Sequence, residues 1–440
     1  MTDLETPVAA PRVPAPRRAA PALLGYAAVR ALGLVVLAVW SAARGKSAYT
    51  LLTARWDSLW YTRVAELGYG YEVRLPNGDV HSNLAFFPLL PWLERLLHAL
   101  TPLSYAGAGL TVGLLASLAA AWGIFAVADF VYGPRVGVCA VLLWAVLPVG
   151  IVQSMAYSES LFTALAAWSL YAVLTGRWVT AGTLAALAGL TRPVGLAVVV
   201  AVWTAGVVSF VRDLSGGVRA GGENHAHGAR DGGRAPESPS AVRAGRVPRT
   251  AGTPDAARAP QDTSSASGAH ASGAPAWRRV LGMLLAPVGA AAYVLWVGHR
   301  TGKGPLGYLD VQAGWRNGFD GGYAFARFVG DKFTSFPSAL AGAGLIAAVC
   351  LLLWLYVIGV RQRQPLPLLV YTGVVLALAL CASSYFGSKP RLLMPAFPVL
   401  LPLARTLARS RTSSSVLVTA GVAAASAVYG AFWLNGSGPP

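Results

Sequence analysis

The chain has 440 residues, 55% of them hydrophobic and only 12% charged, with a mean hydropathy of +0.54. A soluble globular domain carries roughly 25% charged residues, so this composition excludes one. It calls for a bilayer that takes up apolar sequence at about 20 residues per spanning helix. The net charge of +17, from 35 basic and 18 acidic residues, would suit a nucleic-acid partner, but the basic residues lie between apolar runs rather than on one polar module and read as cytoplasmic loops.

In chain order, residues 1–20 are rich in Pro, Ala and Arg and read as a disordered tail. With no cleavage signal evident, the first apolar run, 21–41, reads as an anchor behind Arg17 and Arg18. Residues 42–100 form a polar external loop that ends in "LAFFPLLPWLERLLHAL" (84–100). Its two prolines, Glu94, Arg95 and His98 make that stretch an amphipathic helix lying in the membrane interface rather than a span. Ten further spans are expected at about 105–130, 137–155, 158–175, 179–191, 194–211, 278–298, 337–360, 366–384, 392–408 and 413–434. The expected fold is therefore an all-α polytopic membrane protein of about eleven transmembrane helices. Residues 213–276 hold almost nothing apolar and read as a disordered cytoplasmic linker between an N-terminal module (21–212) and a C-terminal one (277–440).

Orientation follows from the arginines. An N-terminus in the cytoplasm puts Arg135, Arg177, Arg212, Arg361, Arg363, Arg405, Arg409 and Arg411 inside, as the bias of basic loops requires. The opening loop, "MAYSES", "TRP", residues 299–336 and "SSYFGSKPR" then share the outer face of the plasma membrane. The chain has four lysines against an Ala-, Gly- and Pro-rich background, the composition of a high-GC bacterial genome. Cys139, Cys350 and Cys381 are scattered in apolar runs and form neither a disulfide framework nor a zinc site. The His225-x-His227 pair lies in low-complexity sequence.

Two readings of "ARWDSLWYTRVAELGYGYE" (54–72) stand side by side. In one, Asp57 starts a surface helix, its side chain accepting from the amides of Leu59 or Trp60 while Trp56 packs on Tyr61. In the other, the same carboxylate is held above an apolar cavity as a general base for a sugar hydroxyl. Glu66, nine residues on, falls on the opposite helix face and does not share that role. Glu159, at an outer helix end, is a charge near hydrocarbon that needs a cavity or a partner. Arg192 lies between two short spans, at cavity depth. Lys389 and Arg391 suit a lipid phosphate leaving group. Arg55 and Trp56 flank the acid, His81 and Asn83 could meet sugar hydroxyls, and Trp315 with Arg316 could cover an acceptor. No metal is required, although an acidic external loop could hold a divalent cation. Rossmann and P-loop fingerprints are absent.

The opening motif, followed by "NLAFFPLLPWLERLL", "YSESLFTALAAWSLY", "AGLTRPVGL" and "RLLMPAFPVLLPLA" in that order, resembles the PIG-V-type mannosyltransferases of the GT-C superfamily. The resemblance implies a fold of many membrane helices with an external active site, and a polyprenyl-phosphate mannose donor. It also implies inversion at the anomeric carbon and Asp57 as the catalytic base. The acceptor, a glycolipid or another envelope component, does not carry over, because the family's eukaryotic anchor has no bacterial counterpart. A transporter or lipid flippase would instead show inverted repeats and broken helices at the midplane. A non-catalytic scaffold would keep the fold without using Asp57.

Overall fold

Inside a bilayer every backbone amide must find its partner within the chain, and the apolar runs accordingly fold as helices. The computed structural model describes residues 16–228, 275–383 and 385–436. The N-terminal helices are α1 (Pro16–Ala43), α2 (Ala48–Thr53), α3 (Asp57–Leu67), α4 (Leu89–Leu100), α5 (Tyr105–Tyr132), α6 (Pro134–Ala145), α7 (Ser158–Leu174), α8 (Trp178–Gly189) and α9 (Leu196–Gly228). After residue 275 come α10 (Ala276–Leu285), α11 (Val288–Thr301), α12 (Gly307–Gly314), α13 (Tyr323–Asp331), α14 (Ser338–Arg361), α15 (Leu366–Cys381), α16 (Lys389–Leu393), α17 (Leu401–Arg409) and α18 (Thr412–Asn435). Two small antiparallel pairs complete the inventory: β1 (Glu72–Arg74) with β2 (Val80–Ser82), and β3 (Gly318–Phe319) with β4 (Ala382–Ser383).

The chain divides into two units, residues 1–207 with 276–440, and residues 208–275. In the first, α5 is the central helix and packs against α1, α4, α6 and α7, while α1 also packs along α18. Gly182 and Gly282 lack the side chains that would hold α8 and α10 apart, so the two helices meet backbone to backbone. In the second unit the described residues continue α9.

Each of the eleven expected spans overlaps a helix, but several are interrupted or too short to cross by themselves. By length and composition six described segments can cross a membrane: Pro16–Ala43, Tyr105–Tyr132, Pro193–Ser215, Ala276–Thr301, Ser338–Arg361 and Thr412–Asn435. A seventh counts if Phe386–Leu393 and Phe397–Arg409, bent by 74°, form one broken span. Helices α6, α7, α8 and α15 are shorter apolar helices. The stretch expected as one span over 137–155 is cut after Ala145, because Pro148 cannot continue a helix and Gly150 follows it.

Three further expectations change. Residues 16–20 belong to α1 rather than to a tail, and Arg18 pairs with Asp129 at 2.8 Å; residues 1–15 lie outside the described part. Residues 213–228 of the expected linker are helical, since extending an existing helix is far easier than nucleating one, and 229–274 lie outside the described part. The polar loop contains the β1–β2 hairpin, turned at Asn77-Gly78 with Gly78 at φ +86°. Helix α4 is present, and its exposed residues include Trp92, Leu96 and Leu100 while Glu94 is fully buried.

Candidate active site

Two interruptions in the helical bundle set the site. After α6 the chain runs irregularly to Tyr157, and the carbonyls freed there find side-chain donors. Arg30 donates to those of Ala145 and Gly150, Gln153 Nε2 to Trp144 at 2.7 Å, and Ser426 Oγ to Leu147 at 2.7 Å. The irregular segment delivers Glu159 into the first turn of α7, where its side chain is 1% exposed. The second interruption, Met394–Ala396, is closed the same way: Trp144 Nε1 donates to Met394 O at 3.1 Å and Tyr371 Oη to Pro395 O at 3.0 Å. Arg391 lies on α16, just before this break, and its side chain is buried.

Asp57 arrives from the other side. Trp56 immediately before it has φ +51°, a left-handed conformation uncommon for a bulky residue. Ser58 Oγ fixes that corner by accepting from Arg55 N at 3.0 Å and donating to Arg55 O at 2.6 Å. Asp57 is the first residue of α3; Trp56 is the N-cap and its side chain makes no capping bond. The Asp57 carboxylate turns instead to another helix, and its Oδ2 takes NH2 of Arg391 at 2.7 Å.

The charges alternate from there inward. Arg391 Nε lies 3.5 Å from Glu159 Oε1, and Glu159 Oε1 also contacts Arg192 NH1. Arg192 is held in extended backbone by the proline after it, and its NH1 reaches Ser158 Oγ at 3.3 Å. Tyr61, one turn on from Asp57 along α3, shares a 2.7 Å hydrogen bond with the same Ser158 hydroxyl. Burial pushes the Tyr61 phenol well above its ordinary range, with Arg192 opposing. The Arg391 guanidinium sits over the Tyr157 ring, 5.1 Å from its centroid. Side-chain exposure is 23% for Asp57, 9% for Arg391 and 13% for Arg192, so Asp57 is the most open member. Two carboxylates and two guanidiniums thus form a balanced cluster suited to positioning an anion beside a base.

Four predicted site residues, Asp57, Glu159, Arg192 and Arg391, are brought together; the others are not. Arg55 stacks on Trp56 at 3.9 Å and donates to Leu434 O and Gly436 O, at the end of α18. Asn83 is fully buried and brackets the loop, donating to Gly68 O and accepting from Gly70 N, both at 3.0 Å. His81 stacks on Trp315 at 4.0 Å, and burial holds its imidazole below the ordinary histidine range. Lys389 donates to Ala379 O and Ala382 O, each at 2.8 Å. Arg316 pairs with Asp79, and Glu66 is exposed. Among the described residues there is no group of three or more His, Cys, Asp or Glu side chains placed to hold a metal. Tyr61, Tyr157 and Ser158 were not read as site residues. The four-residue spacing from Asp57 to Tyr61 was the available signal for the first.

Comparison with known proteins bears on this arrangement. Residues 38–218 match the family model described as mannosyltransferase (PIG-V), which bears out the resemblance over the stretch that carries Asp57, Glu159 and Arg192. A GPI alpha-1,6-mannosyltransferase 2 of Rattus norvegicus is 33% identical over 153 residues, covering 32% of this chain and 29% of the relative. Among solved structures, ArnT from Cupriavidus metallidurans bound to undecaprenyl phosphate aligns at 15% identity with a TM-score of 0.48, over 90% of this chain and 63% of that one. The apo state of the same protein aligns at 16% with a TM-score of 0.43, over 80% of this chain and 54% of that one.

Proposed function

We propose that this chain, matched over residues 38–218 by the PIG-V mannosyltransferase model, is a GT-C-type membrane glycosyltransferase. It transfers mannose from polyprenyl-phosphate mannose to a glycolipid or other envelope acceptor. The observation that carries the reading is the buried Asp57–Arg391–Glu159–Arg192 cluster, which opens at Asp57. In this reading the acceptor hydroxyl attacks the anomeric carbon from the face opposite the phosphate. The new glycosidic C–O bond forms as the sugar–phosphate C–O bond breaks, with inversion. Asp57 takes the hydroxyl proton, and the bond's electron pair leaves with the polyprenyl phosphate. Arg391 and Arg192 supply the positive charge that this departure needs, at fixed positions in a water-poor site. The site faces the extracytoplasmic side, the N-terminus the cytoplasm, and all eleven helical segments cross or line the membrane.

The test is transfer of labelled mannose from polyprenyl-phosphate mannose by the purified protein in detergent with envelope lipid extract as acceptor. Asp57→Asn is expected to lower the rate by about 10²–10⁴-fold while eluting as a single folded species. Full activity in the variant removes the base assignment. No transfer by the wild type removes the transferase reading in favour of a transporter or scaffold.

A further inference from the structure

Arg391 has more to do than its present contacts satisfy. Its NH2 is taken by Asp57 at 2.7 Å and its Nε lies 3.5 Å from Glu159. Its NH1 and Nε are buried and neither makes a hydrogen bond among the described residues, but Nε has the ion-pair contact with Glu159 and NH1 has none; a buried donor left over in this way asks for an explanation. The edge formed by NH1 and NH2 is the fork with which a guanidinium grips a phosphate through two parallel bonds. Half of that fork is unpaired, though buried, and half is held by Asp57.

Charge points the same way. The two carboxylates and two guanidiniums already balance. A phosphodiester adds one negative charge, which cannot enter so buried a site with both carboxylates still on the arginines, because an uncompensated buried anion is very costly. One carboxylate must give up its place. Glu159 is 1% exposed and is held by both arginines, whereas Asp57 is 23% exposed and, among the described residues, forms an ion pair with Arg391 alone. Asp57 is therefore the carboxylate that can turn to water or to a hydroxyl at least expense.

Building on the transferase reading, we propose that the donor phosphate and Asp57 compete for Arg391. The phosphodiester takes the NH1–NH2 edge and displaces Asp57, while Glu159 keeps the guanidinium in place through Nε. Donor binding thereby frees the base, so that the acceptor hydroxyl is engaged only after the donor is seated. The contact between Asp57 and Arg391 is the latch of an ordered reaction.

The competition predicts that removing the base's charge improves binding of the leaving group. Binding of farnesyl phosphate to the full-length protein in detergent would be titrated, with farnesol as the control for chain binding alone. Asp57→Asn is expected to tighten farnesyl phosphate binding on the order of threefold to thirtyfold and to leave farnesol unaffected. In an Arg391→Gln background the same substitution is expected to change the affinity less than about twofold, the signature of a shared contact in a double-mutant cycle. Asp57→Ser, with a residue well suited to a helix start, stands in if the asparagine variant does not fold. Unchanged or weaker binding in the Asp57 variant overturns the proposal. So does equal tightening in both backgrounds, which would be simple loss of repulsion, and so does absence of binding by every protein. A wild type that transfers mannose while Asp57→Asn binds no tighter keeps the transferase reading and removes the latch. A wild type that transfers nothing while the variant binds tighter does the reverse.

Discussion

Arg391 and Lys389 stand two residues apart on α16, and both are buried, yet they serve opposite purposes. The lysine lies over the rings of Phe325 and Phe386 and donates to two carbonyls at the end of α15. The arginine meets two carboxylates. The same division runs through the rest of the molecule. Arg30 serves the carbonyls beyond α6, while Arg55 and Lys46 serve those at the end of α18. A helix leaves four carbonyls unpaired at its C-terminus, and where water is scarce a cation is a good partner for them, by hydrogen bond and by dipole. Cations of that kind hold the frame. Arg192 and Arg391 face carboxyl side chains that are themselves expensive to bury, which a frame does not need. For Arg30, Lys389, Arg192 and Arg391 it is therefore the partner that separates the site from its scaffold, whereas Arg18 and Arg316 meet carboxylates outside the site through exposed side chains.

Removing the shared carboxylate tests this most severely. Glu159→Gln leaves Arg391 with Asp57 and takes from Arg192 its carboxylate, and breaking a buried pair by deleting one partner costs about 3–5 kcal/mol. The variant is expected to unfold at a clearly lower temperature in detergent. An unchanged midpoint would mean that water reaches the cluster and that it is not a desolvated site. Lys389→Met comes next. Loss of two hydrogen bonds from a charged donor to helix-end carbonyls is expected to lower stability by about 1–3 kcal/mol. It should also slow transfer through misplacement of Arg391, with little change in the donor KM, and Lys389→Arg should restore much of both. A large rise in donor KM with stability unchanged would put Lys389 on the phosphate and break the comparison.

This division also explains how far the sequence could be read. Asp57, Glu159, Arg192 and Arg391 were all legible as polar residues that an apolar chain would not carry without use, on segments assigned to one face. Arg55, Asn83 and Lys389 are also polar, lie on segments assigned to the same face, and were legible in the same way. They differ only in lying beside a carbonyl at a helix end or in a loop, which is a property of the assembled fold. The interruptions that build the site had a local signal. Pro148 with Gly150, and Pro395 with Pro398, mark places where a helix cannot continue, although the apolar runs pass through both without a change in hydropathy. The hairpin had its own signal in Asn77-Gly78, obscured by the polar loop around it.

Glu94 fits neither class, and it gives the smallest and most specific test. Its carboxyl is fully buried on α4, and neither oxygen makes a hydrogen bond among the described residues. The glycine at 109 leaves room for it: a Cβ there would lie 2.5 Å from Glu94 Oε1. Burial alone raises its pKa well above the ordinary carboxylate value. With neither a carbonyl to serve nor a cation to meet, the group is expected to be held as the neutral acid. The folded chain then binds a proton that the unfolded chain releases near pH 4.3, so this residue's contribution to stability is fully present below that value. It is lost as pH rises toward the folded pKa, because the unfolded state gains from ionising and the folded state does not. Glu94→Met keeps the length of the side chain and removes the titration. The methionine variant is expected to be the more stable by about 1–3 kcal/mol near pH 4, where it is spared an unpaired buried polar group, and its margin is expected to widen toward alkaline pH, read as thermal midpoints in detergent across that range. Parallel pH profiles for the two proteins would show that Glu94 has found a partner in the folded protein and belongs with the paired charges after all.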